Sequence, residues 1–285
     1  RRESLTMKSI FSVDVEDWFH ILDTQGSPRL DQWDTYPSRL ERNLLALLDI
    51  LSQKRIHATC FVLGWVGERF PGLVAEIKQR GHEIGSHGYA HALVYQMTAE
   101  EFVQDARKSK AILEDVIGAP VMGYRAPGFS VTPQVPWFFE KLVEAGYLYD
   151  SSVFPARRAH GGMPTEQYSP HWVVTPSGRL FEFPVTVVRL LGMRLCLFGG
   201  GYLRMTPYSM MKSMARRVLA DGRPVVYYIH PRDLDPDQPR LPIGPLRRFK
   251  SYVNLGSTAG KIARLVADEE LTTFARYLAE NGEQA

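Results

Sequence analysis

The chain alternates between short apolar segments and amphipathic helical segments, and this order is what most limits its fold. Residues 9–15 have apolar side chains at every second position, which predicts a strand, and residues 38–51 carry leucines at helical spacing. The same order returns along the chain as far as residue 229, with short connections. It predicts an α/β fold with a parallel sheet or barrel.

One segment breaks this order. Residues 157–204 are rich in glycine and proline and hold short strand-like pieces, which predicts an inserted β-rich segment packed on the barrel. Residues 236–285 then add a helical extension. Because 285 residues suit one α/β domain, we expect a single domain, 1–285, with its functional motifs in residues 10–230.

Composition limits the function classes. The net charge is only +3, and the basic residues form no stripe with interleaved aromatics, so no nucleic-acid partner is expected. No run of about 18 apolar residues occurs, so no transmembrane segment is expected. Residues 1–9 lack the apolar core of a signal peptide, which predicts a cytoplasmic location. Cys60 and Cys196 stand in apolar runs and are predicted to be buried, reduced thiols.

Ionisable residues follow the carboxyl ends of the predicted strands. Functional groups of an α/β barrel collect at this edge, so we expect these side chains to form one site. They are Asp14, Glu16, Asp17, His87, His91, Arg125, Asp150 and His230.

His87 and His91 are the candidate metal ligands. They are four residues apart, so one helical turn would put both imidazoles on one face, as a divalent metal requires. A carboxylate from residues 14–17 would be a third ligand and leave a position for water, which the metal makes more acidic. Such a pair alone is more often a solvent-exposed helix face, and it is the nearby carboxylates that favour a metal site.

The remaining groups suit proton transfer. A carboxylate not on the metal is a candidate general base, and His230 is a candidate acid for the leaving group. Arg125 is expected to hold the base carboxylate ionised and oriented, and Asp150 to orient His230. Taken singly, each has a plainer alternative: a surface arginine, a capping aspartate or a core histidine.

The motifs together resemble the polysaccharide deacetylases of the NodB-homology type, also called carbohydrate esterase family 4. The family's five motifs match, in order, residues 12–17, 86–91, 125–128, 149–152 and 229–231. The resemblance implies a distorted (β/α)7-type barrel. It also implies a divalent metal, zinc or else cobalt or nickel, and removal of acetyl groups from N-acetylhexosamines.

The resemblance further implies roles for single residues. Asp14, which closes the first strand, fits the general base. The metal carboxylate is Asp17 or, as the alternative, Glu16, because the adjacent aspartates that are usual in the family are separated here. Asp17 is the preferred ligand beside His87 and His91.

Substrate contacts are implied as well. The backbone N–H of Gly128 is expected to stabilise the oxyanion, and Tyr202 and Arg204, after a glycine triplet, to line the sugar cleft. Details resemble a bacterial subgroup linked to exopolysaccharide or O-antigen synthesis, which implies an N-acetylated oligo- or polysaccharide, free or lipid-linked.

Two alternatives stay open. One is a hydrolase of small cyclic amides, allantoin-like, on the same barrel; the intact pair of His87 and His91 argues against it. The other is a non-catalytic carbohydrate-binding module, which would need neither the base nor the acid candidates.

Overall fold

The fold is that of a computed structural model, which describes residues 8–22, 26–156, 161–190 and 192–283. The described strands are β1 (Ser9–Val15), β2 (Thr59–Val62), β3 (Glu83–Ser86), β4 (Gly123–Tyr124), β5 (Tyr149–Asp150), β6 (His171–Thr175), β7 (Gly178–Glu182), β8 (Val188–Leu190), β9 (Met193–Leu195), β10 (Val226–Ile229) and β11 (Leu271–Thr272). The described α-helices are α1 (Leu40–Ser52), α2 (Gly64–Arg69), α3 (Pro71–Gln79), α4 (Ala99–Ile117), α5 (Phe138–Glu144), α6 (Gly200–Met205), α7 (Tyr208–Ala220), α8 (Pro245–Tyr252), α9 (Thr258–Asp268) and α10 (Phe274–Asn281). Short 3-10 helices occupy Leu30–Thr35, Val94–Gln96, Pro127–Phe129, Pro231–Leu234 and Leu255–Ser257.

The main sheet has the strand order β10-β1-β2-β3-β4-β5-β7-β6, with β11 added beside the start of β1. All its pairings are parallel except the β6–β7 hairpin. The sheet curls into a half-barrel with helices outside, which confirms the predicted α/β barrel class. Parallel pairing brings the carboxyl ends of β1, β2, β3, β4 and β10 to one edge, and this edge carries the ionisable residues.

The two faces of β1 differ in what they contact. All seven of its residues are buried. Phe11, Val13 and Val15 pack into the apolar core under the helices, whereas Ser12 and Asp14 meet Arg125 inside the half-barrel. Both faces of β1 are therefore buried although its residues alternate in polarity. The apolar face packs against the helices, and the polar face packs against the buried guanidinium of Arg125.

The predicted insertion is partly a continuation of the sheet. β7 pairs in parallel with β5, and among the residues that the structure describes only the β8–β9 hairpin forms a separate sheet. The start of the predicted segment, at residue 157, lies outside the described residues. Whether residues 1–285 act as one domain stays a prediction.

Two helices that the sequence predicts have different boundaries in the structure. The Thr132-Pro133 pair predicts a helix that runs to Gly146, but α5 begins at Phe138, because the ring of Pro136 cannot occupy a helix interior. The sequence also predicts a last helix from about Asp268 to Ala279. Instead α9 ends at Asp268, and β11 precedes α10.

α10 closes the end of the half-barrel opposite the ionisable residues. Phe274 packs against Phe61, Tyr149 and Phe183 there.

Cys60 and Cys196 are buried free thiols, as predicted. Among the described helices, none has the length and apolar character needed to cross a membrane.

Candidate active site

Three side chains converge at the carboxyl ends of β1 and β3. The Oε1 atom of Glu16 lies 2.8 Å from Nε2 of His91 and 3.2 Å from Nε2 of His87. All three residues are buried, and their ligand atoms lie within 4.8 Å of one another. Burial favours the neutral form of Glu16, but His91 and His230 outweigh it and hold the pKa of Glu16 well below its usual range.

The tautomer of His87 shows that this cluster fits a cation. Its Nδ1 lies 2.8 Å from the carbonyl oxygen of Arg125, which can only accept, so Nδ1 carries a proton. This leaves Nε2, 3.2 Å from the carboxylate of Glu16, as the nitrogen that can offer a lone pair to a metal. Two imidazoles with one carboxylate are a ligand set that suits zinc.

The two histidines do not lie on a helix, contrary to the prediction from their spacing. The loop after β3 places both Gly88 (φ 72°) and His91 (φ 54°) in the left-handed region. Asp105 of α4 holds this loop by accepting a hydrogen bond from the backbone N–H of Tyr89 at 2.9 Å. The imidazoles meet through loop geometry, with ring centroids 5.3 Å apart.

The structure places Glu16, and not the preferred Asp17, against the two histidines. The carboxylate of Asp17 accepts hydrogen bonds from the hydroxyl of Ser38 at 2.6 Å and from the backbone N–H groups of Trp18 (2.7 Å) and Arg39 (3.0 Å). Its oxygens therefore hold the segment that leads into α1 by hydrogen bonds and do not face the histidines. Glu16 is one residue nearer to β1 and reaches the histidines.

Asp14 lies beside this cluster and is paired with Arg125. The guanidinium of Arg125 is fully buried, and its Nη1 donates to Oδ1 of Asp14 at 2.7 Å and to the hydroxyl of Ser12 at 2.8 Å. Its other nitrogens donate to the carbonyl and the hydroxyl of Ser151. Phe61 covers the guanidinium plane, with the carbon Cζ 4.2 Å from the ring centroid. Arg125 is thus held rigidly against the carboxylate, and the catalytic roles of the two residues stay predictions.

A second group of possible ligands comprises Asp14, Glu16 and His230. We favour the group with His87 and His91, because Arg125 already neutralises Asp14.

His230 faces Asp14 from the end of β10. Its Nε2 lies 4.0 Å from Oδ2 of Asp14 and 3.8 Å from Oε1 of Glu16. Burial lowers the pKa of His230, but Glu16 and Asp233 outweigh this effect and raise it above its usual value. The protonated ring is therefore favoured.

The residue that orients His230 is Asp233, not Asp150 as expected. Oδ2 of Asp233 lies 3.1 Å from Nδ1 of His230 and accepts from the His230 backbone N–H at 2.9 Å. Burial would raise the pKa of Asp233, but Arg204 and His230 hold it below its usual range. The capping of the short 3-10 helix Pro231–Leu234 creates this contact, so the sequence offered a signal in the three-residue spacing.

The structure places Arg204, a predicted sugar contact, behind Asp233 and not at an exposed surface. Its side chain is buried, forms an ion pair with Asp233, and donates to the carbonyl oxygens of Val253 and Lys250. It therefore fixes Asp233 behind His230. Tyr202, by contrast, is 39% exposed, and its contact with sugar stays a prediction.

The glycines before these residues permit close packing. A Cβ atom on Gly199 would lie 2.0 Å from the ring of Tyr228, and one on Gly201 would lie 2.6 Å from the carbonyl oxygen of Lys250. Gly128 adopts φ 61° in the turn Pro127–Phe129, and its oxyanion role stays a prediction.

His20 is a further residue beside the site, and none of the sequence motifs includes it. Its Nδ1 accepts from the backbone N–H of Asp17 at 3.1 Å, so Nε2 carries the proton, and this buried donor has no partner among the described residues. Burial and the neighbouring His91 lower its pKa, so the ring is neutral. Its ring centroid lies 6.1 Å from that of His91, which makes it a donor at the border of the site.

Asp150 belongs instead to a buried carboxyl pair with Glu182. The two residues are partners across β5 and β7, and Asp150 accepts from the hydroxyl of Ser152 at 2.5 Å. Burial raises the pKa of both acids, and the charge of Asp150 raises that of Glu182 further. The pair therefore retains a proton at neutral pH.

Glu182→Gln should flatten the pH dependence of stability. The folded protein keeps a proton on this pair that the unfolded chain releases above about pH 4.5, so the pair's contribution to stability falls as the pH rises. An uncharged amide removes this effect. Between pH 5 and pH 8 the variant should lose roughly 1 kcal/mol less unfolding free energy than the parent protein in urea titrations. Glu41→Gln, at an exposed position, is the matched control and should behave like the parent protein. If Glu182→Gln lost as much unfolding free energy between pH 5 and pH 8 as the parent protein does, the shared proton would be disproved.

Two segments of the chain match models of known families, and residues 1–31, which include Asp14 and Glu16, precede both matches. Residues 32–147 match the family described as polysaccharide deacetylase, and residues 151–279 match a domain of unknown function, DUF3473. The first segment contains His87, His91 and Arg125, whereas the second contains His230 and Asp233. The site thus draws on both segments.

One curated relative is a peptidoglycan-N-acetylglucosamine deacetylase from Bacillus cereus. It is 33% identical over 96 residues, which are 33% of this chain and 35% of the relative. The chain therefore spans well under half the length of this relative.

Two solved structures share the fold over nearly the whole chain. One is a candidate polysaccharide deacetylase from Mycobacterium smegmatis, with a TM-score of 0.67 and 19% identity over 100% of this chain and 93% of that one. The other is Puue allantoinase, with a TM-score of 0.64 and 16% identity over 99% and 93%. At these identities they establish the fold alone. The comparisons confirm the resemblance to the NodB-type polysaccharide deacetylases and do not resolve the exopolysaccharide subgroup.

Proposed function

We propose that this member of the polysaccharide deacetylases is a metal-dependent hydrolase that removes acetyl groups from N-acetylhexosamine residues. The observation that carries the proposal is one compact cluster that combines three metal-binding side chains with a base and an acid. Glu16, His87 and His91 form its metal side, and Asp14 and His230 stand next to it, with side-chain atoms 4.0 Å apart. A carbohydrate-binding module would have no use for this combination.

The metal is proposed to be zinc, with cobalt or nickel as alternatives, held by Glu16, His87 and His91. A divalent cation supplies Lewis acidity here: it polarises a carbonyl and makes water more acidic.

Asp14 acts as the general base in this proposal. Its ion pair with Arg125 fixes the direction of the carboxylate, so that one oxygen can accept the proton of the attacking water. The full burial of Arg125 prevents the guanidinium from turning away to solvent. The backbone N–H of Gly128 is the proposed donor to the oxyanion.

His230 donates the proton that the leaving amine needs. The carboxylate of Asp233 accepts a hydrogen bond from Nδ1–H of His230 and thereby leaves Nε2 facing Asp14 and Glu16. The raised pKa of His230 keeps this nitrogen protonated near neutral pH. Arg204 supports the acid from behind by holding Asp233.

The proposed substrate is an N-acetylated oligo- or polysaccharide of the bacterial surface or an exported polymer, or its precursor. The Bacillus cereus relative is named for peptidoglycan N-acetylglucosamine, which supports an N-acetylhexosamine. The exopolysaccharide or O-antigen assignment and a lipid-linked precursor rest on the motif details at residues 14–19, 199–202 and 230–235.

Acetate release tests the proposal. The zinc-loaded protein should release acetate from chitooligosaccharides or from N-acetylated peptidoglycan fragments, and chelation should stop the release. Allantoin serves as the comparison substrate. Hydrolysis of allantoin without acetate release would favour the cyclic-amide alternative, and sugar binding with neither reaction would favour a binding module.

A further inference from the structure

The helix α8 carries two exposed apolar side chains on its outer side. Leu246 is 69% exposed and Phe249 57% exposed, and because they are three residues apart they lie on the same side of the helix. Ser251 and Tyr252 are buried, and the hydroxyl of Tyr252 accepts a hydrogen bond from the backbone N–H of Leu241 at 2.9 Å. α8 is therefore anchored to the fold on one side and exposes an apolar patch, Leu246 and Phe249, on the other.

The chain around this apolar patch is strongly basic. Residues 238–267 contain six lysines and arginines and no acidic residue, so they carry +6, and the rest of the chain carries −3 in total. Within α8 itself there are three cations and no acid. Arg240 adds to them, because its guanidinium carbon lies 5.3 Å from the centroid of the Tyr252 ring. The apolar patch thus stands in a positively charged zone of a chain that is otherwise net acidic.

This combination fits the surface of an anionic lipid bilayer. Leucine and phenylalanine partition into the boundary between headgroups and acyl chains, and lysine and arginine bind the headgroup phosphates beside them. Lys250 follows Leu246 by four residues, so it extends from the same side of the helix as the apolar patch. An excess of cations without any acid favours a uniformly anionic surface over the mixed charges of a protein surface.

The same helix is connected to the candidate active site. Arg204 donates hydrogen bonds to the carbonyl oxygens of Lys250 and Ser251 in α8, at 2.7 Å and 3.0 Å. It also forms the ion pair with Asp233, which in turn contacts His230. One buried arginine therefore links α8 to the acid side of the site, and a surface that α8 contacts lies on that side of the molecule.

We propose that α8 docks this protein on the surface of an anionic lipid bilayer. Leu246 and Phe249 enter the headgroup region, and Lys250 and the neighbouring cations lie against lipid phosphates. Docking goes beyond the proposed deacetylation, and it brings the site to sugars that are displayed at a bilayer. It requires neither metal nor turnover, so it holds or fails independently of the proposed reaction.

Co-sedimentation of the full chain with lipid vesicles tests this surface. Vesicles of phosphatidylcholine with about 30% phosphatidylglycerol should bind the protein about tenfold or more tightly than vesicles of phosphatidylcholine alone. Arg248→Gln/Lys250→Gln should weaken binding to the anionic vesicles about 10- to 30-fold, because each cation near an anionic surface adds to the affinity. Leu246→Ser/Phe249→Ser should weaken it about tenfold or more, because the apolar side chains no longer enter the headgroup region.

Two control variants match these changes elsewhere on the surface. Lys54→Gln/Arg55→Gln removes the same charge from exposed positions outside residues 238–267. Val174→Ser/Met193→Ser removes two exposed apolar side chains from β6 and β9. Both controls should bind anionic vesicles like the parent protein. All four variants change exposed side chains, so their melting temperatures should stay close to that of the parent protein.

Three results would overturn the proposal. The first is equal binding to both kinds of vesicle, or binding to neither. The second is vesicle binding that Leu246→Ser/Phe249→Ser leaves unchanged, because the apolar patch would then not contact the lipid. The third concerns a second copy of the chain as the occupant: a dimer that forms without lipid and that this variant dissociates, measured by sedimentation equilibrium, would assign the patch to self-association.

Discussion

Glu16→Ala should purify with less than a tenth of the divalent metal of the parent protein, whereas Asp17→Asn should keep its full metal content. Glu16 supplies the oxygen that both imidazoles face, so its removal takes away one ligand of three. The Asp17 carboxylate is occupied by Ser38 and backbone N–H groups, and no metal-facing oxygen is lost with it. Metal content per chain by mass spectrometry of the dialysed proteins decides between them.

The two variants also differ in their secondary effects. Asp17→Asn weakens the hydrogen bonds that lead into α1, so a loss of about 0.5–2 kcal/mol in unfolding free energy is expected, with acetate release retained. His87→Ala is the matched loss of a ligand and should behave like Glu16→Ala. If Asp17→Asn lost its metal and Glu16→Ala kept it, the sequence-based preference for Asp17 would be restored and the placement of Glu16 refuted.

The contrast between Glu16 and Asp17 shows how much of the site can be predicted from the sequence. That carboxylates follow β1 and histidines follow β3 can be read from the chain, and parallel pairing brings them together. Which of Glu16 and Asp17 turns inward depends on the backbone after Val15 and on Ser38, a residue 21 positions away from Asp17. No local pattern encodes such a contact.

The partner of His230 illustrates the same limit. Asp150 ends a strand, as the other acids of the site do. However, β7 places Glu182 beside it, so Asp150 pairs with Glu182 and not with His230. Asp233 is only three residues from His230, and Arg204 holds it from a distant helix. The near partner was visible in the sequence as a capping pattern, whereas the arginine that fixes it depends on tertiary packing.

The fold was more predictable than the site, because the spacing of apolar residues along a short segment is enough to indicate a strand or a helix. β1 occupies the predicted residues, and α4 begins at Ala99, directly after the capping box that Thr98 forms with Glu101. Errors arose where a proline or a long-range pairing intervened, at Pro136 and at β11. The His87–His91 loop is the functional counterpart: left-handed residues, not a helical turn, unite the pair.

Asp14→Asn should retain its metal and lose turnover by about 10²- to 10⁴-fold, the range of general base contributions. The amide is close in size to the carboxylate and still offers an oxygen to Nη1 of Arg125, so the site keeps its geometry. It cannot accept the proton of the attacking water. Acetate release under saturating substrate, together with metal content, measures the two consequences separately.

The metal content of Asp14→Asn distinguishes between the two possible ligand groups, which share Glu16. One group adds His87 and His91, and the other adds Asp14 and His230. If Asp14→Asn lost its metal together with its activity, Asp14 would be a ligand with Glu16 and His230, and the assignment to His87 and His91 would fail. Retained metal with unchanged turnover would remove Asp14 from proton transfer. Retained metal with the expected loss leaves Asp14 as the base, since Arg125 already supplies the cation that its buried carboxylate requires.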